Sequence, residues 1–302
     1  MNATIREYIG QFTGRDVIYL PNPGTAGDSV SAAATYQALD RARARYRTPR
    51  LRAFNPAGQF IIYGGGGNLY GRSRYAYRVL KRVHGTAKHL TILPHTIKDV
   101  DDLLSEFGSN VTVIARERVT FDYISNLPRR YETLLMDDVA LSLDVEALLE
   151  EGDRFNPPAM LADFVISRLL RSSGHTGFEN VKRYLNPGPI AAELKARPPG
   201  GVLNCFRLDN EATDIEIPPD NIDLPIVFMY GVAPPPVANH AARSLIETLA
   251  KFDEVRTNRL HVAIACGLIG KRTLFYPNNY YKCEAVWDFS MKDRFPHVTW
   301  MG

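Results

Sequence analysis

Cysteine is scarce in this chain, with three among 302 residues, at Cys205, Cys266 and Cys283. Odd in number and far apart, they supply neither a disulfide framework nor a zinc-ligand spacing, and they point to a reducing compartment. No apolar run is long enough for a transmembrane helix. Residues 1–14 carry Arg6 and Glu7 and no apolar segment of the kind a secretory signal needs. These absences together give the expectation of a cytoplasmic protein. Net charge is only +3, too little to argue for a nucleic-acid partner. Internal repeats and low-complexity tracts are also missing. What remains is an ordinary globular composition, 45% hydrophobic, long enough for one large or two medium domains.

The first half alternates short apolar runs with helical patterns. Strands are expected at 16–20, 59–63, 90–93, 111–114 and 132–136. Helices are expected at 29–44, 74–85, 99–107 and 119–125. A second alternation follows, with strands at 201–206, 226–230, 254–257 and 272–276 and a helix at 238–251. Strands alternating with helices argue for parallel α/β sheets. The expected division is a Rossmann-like domain over 1–170, a linker over 171–199 and a second Rossmann-like domain over 200–285. The tail, 286–302, is expected to cross back onto the first domain.

In open parallel sheets, ligands bind beyond the carboxyl ends of the strands. The polar motifs of this chain sit there. The loop 22–28 follows the first strand, and Asp28 is either a helix cap or a base. Gly64, Gly65, Gly66 and Gly67 follow the next strand. This run is neither GxGxxG nor a P-loop, but it offers a backbone surface without Cβ atoms, most usefully at Gly65, Gly66 and Gly67. His95 stands just past the strand at 90–93, Arg116 past that at 111–114, and Arg207 past that at 201–206. Singly, each reads as a surface or capping residue. Jointly they aim cations at one kind of position, as a ligand with two anionic groups requires.

The segment 257–261, Thr-Asn-Arg-Leu-His, is the most pointed of these. It reads as a strand end, an N-cap at Asn258 and a helix whose first turn holds Arg259 and His261. Free N–H groups and the helix dipole there attract anions. Lys282 follows the next strand and adds a point charge. A further basic cluster, Arg41, Arg43, Arg45, Arg47, Arg50 and Arg52, falls within twelve residues. It reads either as a solvated face or as a contact for a diphosphate or an anionic membrane.

The ordered series of these pieces resembles the polysaccharide pyruvyltransferase family. The matching stretches are Gly27-Asp28, the glycine run, Leu-Pro-His-Thr-Ile at 93–97, Ala-Arg-Glu at 115–117 and Asp-Val-Ala-Leu at 138–141. Phe-Arg-Leu-Asp-Asn-Glu at 206–211, Arg-Leu-His-Val-Ala-Ile-Ala at 259–265 and Tyr-Tyr-Lys at 280–282 complete it. The resemblance covers residues from about 15 to 285. It implies a GT-B-like fold of two Rossmann-like domains, the first on the acceptor side and the second on the donor side. It also implies phosphoenolpyruvate as co-substrate, with no metal or other cofactor. Arg116, Arg259, Leu260 and Lys282 become donor-binding positions, joined by Arg207. His261 becomes the acid/base, with Asp28 and His95 as candidates for handling the acceptor. The sequence departs from the family at His95, where many members carry Gln, and at Asn258, where many carry Asp.

The implied reaction forms a pyruvate ketal on two hydroxyls of a sugar in a lipid-linked exopolysaccharide repeat. That expectation places the enzyme at the inner face of the cytoplasmic membrane, with residues 41–52 as the contact. Two other readings stay open. One is a GT-B glycosyltransferase using a nucleotide sugar. The other is a non-catalytic sugar-binding protein on the same fold.

Overall fold

The computed structural model describes residues 4–51, 54–71, 75–169, 181–182, 185 and 188–302. Arg52 and much of the expected linker (171–180, 183–184 and 186–187) lie outside the described residues. The chain divides into two compact units. The first runs to Asn22 and resumes over Ala34–Leu143. The second holds Pro23–Ala33 and nearly all of the chain from Asp144 onward. This differs from the expected boundary at 170, and long-range contacts explain why. Ser29 Oγ donates to the Gly231 carbonyl at 2.9 Å, and Arg243 donates to the Leu149 carbonyl at 3.0 Å. Both segments are thereby tied to the later part of the chain.

The first unit is built on β1 (Asp16–Leu20), β2 (Arg45–Arg47), β3 (Phe60–Tyr63), β4 (Gly66–Tyr70), β5 (His89–Lys98), β6 (Val111–Ala115) and β7 (Glu132–Leu135). Their order is β2-β1-β3-β5-β6-β7, with β4 also on β5, and every pairing is parallel. Strands covered on both faces need continuous apolar runs rather than alternation. Ile61-Ile62-Tyr63 in β3 and Val113-Ile114-Ala115 in β6 supply them, and Val79, Leu80, Leu103 and Leu104 pack against one face of this core.

Two expectations here are corrected. The glycine run does not simply end a strand. It interrupts one, and the chain resumes as β4 along the same neighbour, β5. The strand expected at 90–93 is longer, because β5 continues through Pro94 to Lys98 and carries His95 within it rather than past its end. Proline lacks an N–H and is tolerated in sheets at irregularities. The β5–β6 register shifts between Ile92 and His95, and Pro94 sits in that shift. The Arg45–Arg47 edge strand was not expected at all.

The second unit is built on β8 (Val202–Cys205), β9 (Glu254–Thr257), β10 (Arg272–Phe275) and β11 (Val298–Trp300), all parallel in the order β11-β10-β9-β8. The helix Pro235–Ala250 buries Val237, Ala241, Leu245 and Leu249, a single stripe at helical spacing. The helix Leu260–Leu268 is apolar and buried along most of its length, as a helix in the interior of a layered α/β unit must be.

Two more corrections follow. The expected strand at 226–230 is a short helix, Leu224–Val227, because Pro225 suits the first positions of a helix and cannot donate to a ladder. The C-terminal residues do not cross back. Val298–Trp300 pairs with Thr273–Phe275 and closes the edge of the second sheet. Among the described residues, no helix is long and apolar enough to cross a membrane. The architecture is mixed α/β with two parallel sheets, in keeping with a Rossmann-like organisation.

Candidate anion-binding site

The second sheet delivers Arg207, Arg259 and Lys282 from three successive positions beyond its strands. Arg207 follows β8, Arg259 follows β9, and Lys282 follows β10 at the start of the helix Lys282–Val286. All three are buried, at 8%, 7% and 7% exposure. Cations at such burial need partners, since an unpaired buried charge is very costly. Three carboxylates supply them. Asp209 takes the Nε and Nη2 of Arg207 in a two-pronged grip, at 2.7 and 2.9 Å. Asp223 takes the Nε of Arg259 at 3.0 Å, and its other oxygen takes Nη2. Glu211 bridges, one oxygen accepting from both Arg207 Nη1 and Lys282 Nζ. Asp209 also lies 3.3 Å from Arg259 Nη1, which links the two guanidinium groups.

The carboxyl groups respond to this setting differently. Burial pushes Asp209 up, but the Arg207 grip outweighs it and holds the group at about 2. Burial also works against the Glu211 anion, yet Lys282 and Arg207 keep its carboxyl below the ordinary value. For Asp223, burial wins over Arg259 and its carboxyl is raised. The cluster therefore pairs three cations with three carboxylates on the carboxyl side of a parallel sheet.

The cap of the Leu260–Leu268 helix is one residue later than expected. Arg259 occupies the N-cap position in extended conformation, without a side-chain capping bond. Asn258 has another task. Its Oδ1 accepts from the Arg207 backbone N–H at 2.8 Å and so fixes the turn that carries Arg207. Leu260 is buried at the first helical position. His261 follows, half-buried, with its Nε2 3.3 Å from Ser31 Oγ. Gly27 lies against the same imidazole, for a Cβ there would stand 2.8 Å from His261 Nδ1. The early Gly-Asp loop therefore meets His261 within the second unit. Asp28 itself accepts from the Thr25 backbone N–H at 2.7 Å, so it braces the first turn of the Ala26–Arg41 helix.

His95 and Arg116 belong to the first unit. Arg116 is 1% exposed, with Nη1 on Asp138 at 2.7 Å and Nε on Thr96 Oγ1 at 2.9 Å. Asp138 in turn accepts from the Ala140 N–H and starts the turn Val139–Ser142. His95 is fully buried, between the Leu93 carbonyl and Asn68 Oδ1, each 3.4 Å from a ring nitrogen. Burial, helped by Arg116, drives its pKa down to about 3. A permanently neutral imidazole exchanges no proton near pH 7. Gly64 and Gly65 also serve the interior. A Cβ at Gly64 would stand 2.6 Å from the Asn22 nitrogen, and one at Gly65 would stand 2.8 Å from the Pro94 carbonyl oxygen. Gly66 and Gly67 open β4, Gly66 with a positive φ of 151°. In the basic cluster, Arg41, Arg43, Arg45 and Arg47 are exposed and Arg50 is half-buried.

Sequence reasoning assembled Arg207, Arg259, Lys282 and His261 but missed the carboxylates. Asp209 and Glu211 carried a signal, two and four residues beyond Arg207. Asp223 carried none, being 36 residues from Arg259. Ser31 was also without one, since a serine in a helical pattern reads as filler. Among the described residues, no group of His, Cys, Asp and Glu stands at metal-binding spacing.

No family model matches this chain, and no curated protein matches it. Among solved structures, it is similar to a functionally uncharacterised protein from Klebsiella pneumoniae. The two share 27% identity over 98% of this chain and 96% of that one, with a TM-score of 0.73.

Proposed function

We propose that this chain is a phosphoenolpyruvate-dependent pyruvyltransferase that forms a pyruvate ketal on a sugar. The observation that carries the reading is the convergence of Arg207, Arg259 and Lys282 beyond the strands of one sheet, with His261 in the adjoining helical turn. Phosphoenolpyruvate presents a carboxylate and a phosphate on one carbon, and a set of converging cations suits such a pair of anions. Arg116, expected in the donor set, belongs to the first unit, where it pairs with Asp138, and is not counted in this cluster.

Protonation of the methylene carbon creates an oxocarbenium-like centre at C2. One sugar hydroxyl attacks there, the phosphate departs with its electron pair, and a second hydroxyl closes the ketal. Each hydroxyl gives up one proton; the methylene carbon takes one and the departing phosphate takes the other. His261 is the group assigned to move these protons, since one imidazole nitrogen can accept a proton while the other gives one. Cations fixed in advance stabilise the leaving phosphate without reorganising. His95, buried and neutral, falls outside this machinery, and Asp28 serves the helix start instead. The two units are read as the halves of a GT-B-like enzyme, the second holding the donor. The acceptor is the sugar of a lipid-linked repeat unit.

The test is phosphate release from phosphoenolpyruvate with and without a panel of galactosides, glucosides and mannosides. Acceptor-dependent release, with a mass gain on the sugar matching one ketal-linked pyruvate, is expected. His261→Ala should slow it about 10²–10⁴-fold, the usual cost of a lost general acid/base. Transfer of sugar from a nucleotide donor, with no phosphate release from phosphoenolpyruvate, would replace this reading by the glycosyltransferase one.

A further inference from the structure

The three carboxylates of the site are held in two different ways. Asp209 and Asp223 each grip a guanidinium through two oxygens, on its Nε and Nη2 side. Such paired forks fix orientation. Glu211 instead offers one oxygen to two cations, Arg207 Nη1 and Lys282 Nζ. A single oxygen bridging a guanidinium and an ammonium is what a phosphate oxygen supplies in an anion site. The segment that carries Glu211 lies outside any helix or strand. It is tied to the loop before Lys282 by Asn279 Nδ2, which donates to the Asn210 carbonyl at 2.7 Å. Two side-chain amides nearby in the fold are unsatisfied, one in the turn before Arg259 and one in the loop before Lys282. Asn258 Nδ2 and both amide atoms of Asn278 are buried without a hydrogen-bond partner. Buried polar atoms without partners call for an explanation, and a ligand is one.

We propose that Glu211 is a built-in occupant of a dianion site, and that a small phosphate-bearing anion binds by exchanging with it. The inference deepens the donor-site reading above and rests on it for the identity of the natural ligand. Physically, the exchange follows from the charges of the cluster. Arg207 and Lys282 stand buried beside each other, and without an anion their mutual repulsion and lost hydration would be uncompensated. The carboxylate holds them in place until a dianion arrives. Affinity for that dianion is then the difference between its contacts and those of Glu211, so the resident carboxylate sets a threshold that weak monoanions do not pass.

The experiment is a titration of the full-length protein with inorganic phosphate and, separately, with phosphoenolpyruvate, at constant ionic strength, read by calorimetry. Glu211→Gln keeps the shape and removes the competing charge. It should bind phosphate about tenfold or more tightly than the wild type, since a hydrogen bond to a charged group is worth about 1.5–3 kcal/mol. Asn279→Ala loosens the tether without touching a charge, and it should shift affinity in the same direction by less. Adding Lys282→Gln to Glu211→Gln should abolish the gain, which locates the bound phosphate. Unchanged or weaker phosphate binding by Glu211→Gln overturns the proposal, as does a gain that survives Lys282→Gln or phosphate binding too weak to measure in every variant. Tighter phosphate binding without acceptor-dependent phosphate release from phosphoenolpyruvate would leave the exchange standing and remove the pyruvyl-transfer reading.

Discussion

Of the two histidines that the sequence singles out, His95 is sealed inside the first sheet and His261 is half-exposed at a helix start. Their environments differ. The His95 ring is held neutral to a pH of about 3, whereas in the unfolded chain it protonates near the ordinary 6.5. The unfolded state therefore binds more protons between these values, so stability falls as the pH is lowered through that range. The His95 contribution is complete above about pH 6.5 and is lost as pH falls toward about 3. His95→Gln removes the titrating group, so the variant should lose less stability than the wild type between pH 7 and pH 4.5. Urea midpoints at the two pH values measure this, and equal losses would show that His95 is not the buried neutral group. This distinction was not legible in the sequence. Both histidines follow apolar runs, and nothing local says that Pro94 lies within a strand and carries His95 inside with it. The cations were easier to read, because Arg207, Arg259 and Lys282 all follow strands whose apolar runs are plain. Their carboxylate partners were harder, since Asp223 reaches Arg259 through the fold and not through the chain.

At the scale of elements, the glycine run shows how one sequence signal admits two physical causes. Four glycines after a strand suggest a surface that a ligand can approach closely. In the fold, the close approach at Gly64 and Gly65 is made by the protein's own backbone. The break between β3 and β4 brings Gly65 onto Pro94, beside the irregular part of β5. A methyl group at Gly65 would stand 2.8 Å from the Pro94 carbonyl oxygen and 3.1 Å from Val139 Cγ1. Backbone cannot step aside as a flexible side chain can. Gly65→Ala should therefore cost about 1–3 kcal/mol, the range for overpacking a filled interior. Gly85→Ala is the matched control, because a Cβ there meets nothing within 4 Å and the φ is ordinary. Its stability should stay equal or rise slightly, through the reduced freedom of the unfolded chain. Chemical denaturation of both variants checks the contrast, and equal stabilities would assign the run to something other than packing. The parallel strands themselves were legible from their apolar runs. The short helix at Leu224–Val227 was not, because a brief apolar segment fits a strand or a buried helix equally well.

Across the whole molecule, net charge is a weak guide and its placement a better one. The total is +3, yet Arg41, Arg43, Arg45 and Arg47 all stand exposed at one edge of the first sheet. Local structure accounts for part of this. Arg41 ends the Ala26–Arg41 helix, where a cation complements the helix dipole. Arg45 is matched by Asp16, at 2.8 and 3.0 Å. Arg43, with a positive φ of 51°, lies between that helix and the edge strand, and Arg47 ends the strand. If the acceptor of the proposed reaction is lipid-linked, this edge is the part of the chain suited to an anionic surface. Each arginine near such a surface contributes about 1 kcal/mol. Replacing Arg41, Arg43 and Arg47 by glutamine should then weaken binding to phosphatidylserine-containing vesicles by about two orders of magnitude at low salt. The wild-type binding itself should fade as salt rises, because exposed charges are screened within about 10 Å at 0.1 M. None of the three belongs to the Arg207–Arg259–Lys282 site, so turnover on a short soluble acceptor should stay at the wild-type rate. Co-sedimentation with vesicles and the phosphate-release assay read the two effects separately. Unchanged vesicle binding would make this edge an ordinary solvated face, whereas a matching fall in soluble turnover would place these arginines on the acceptor rather than on the membrane.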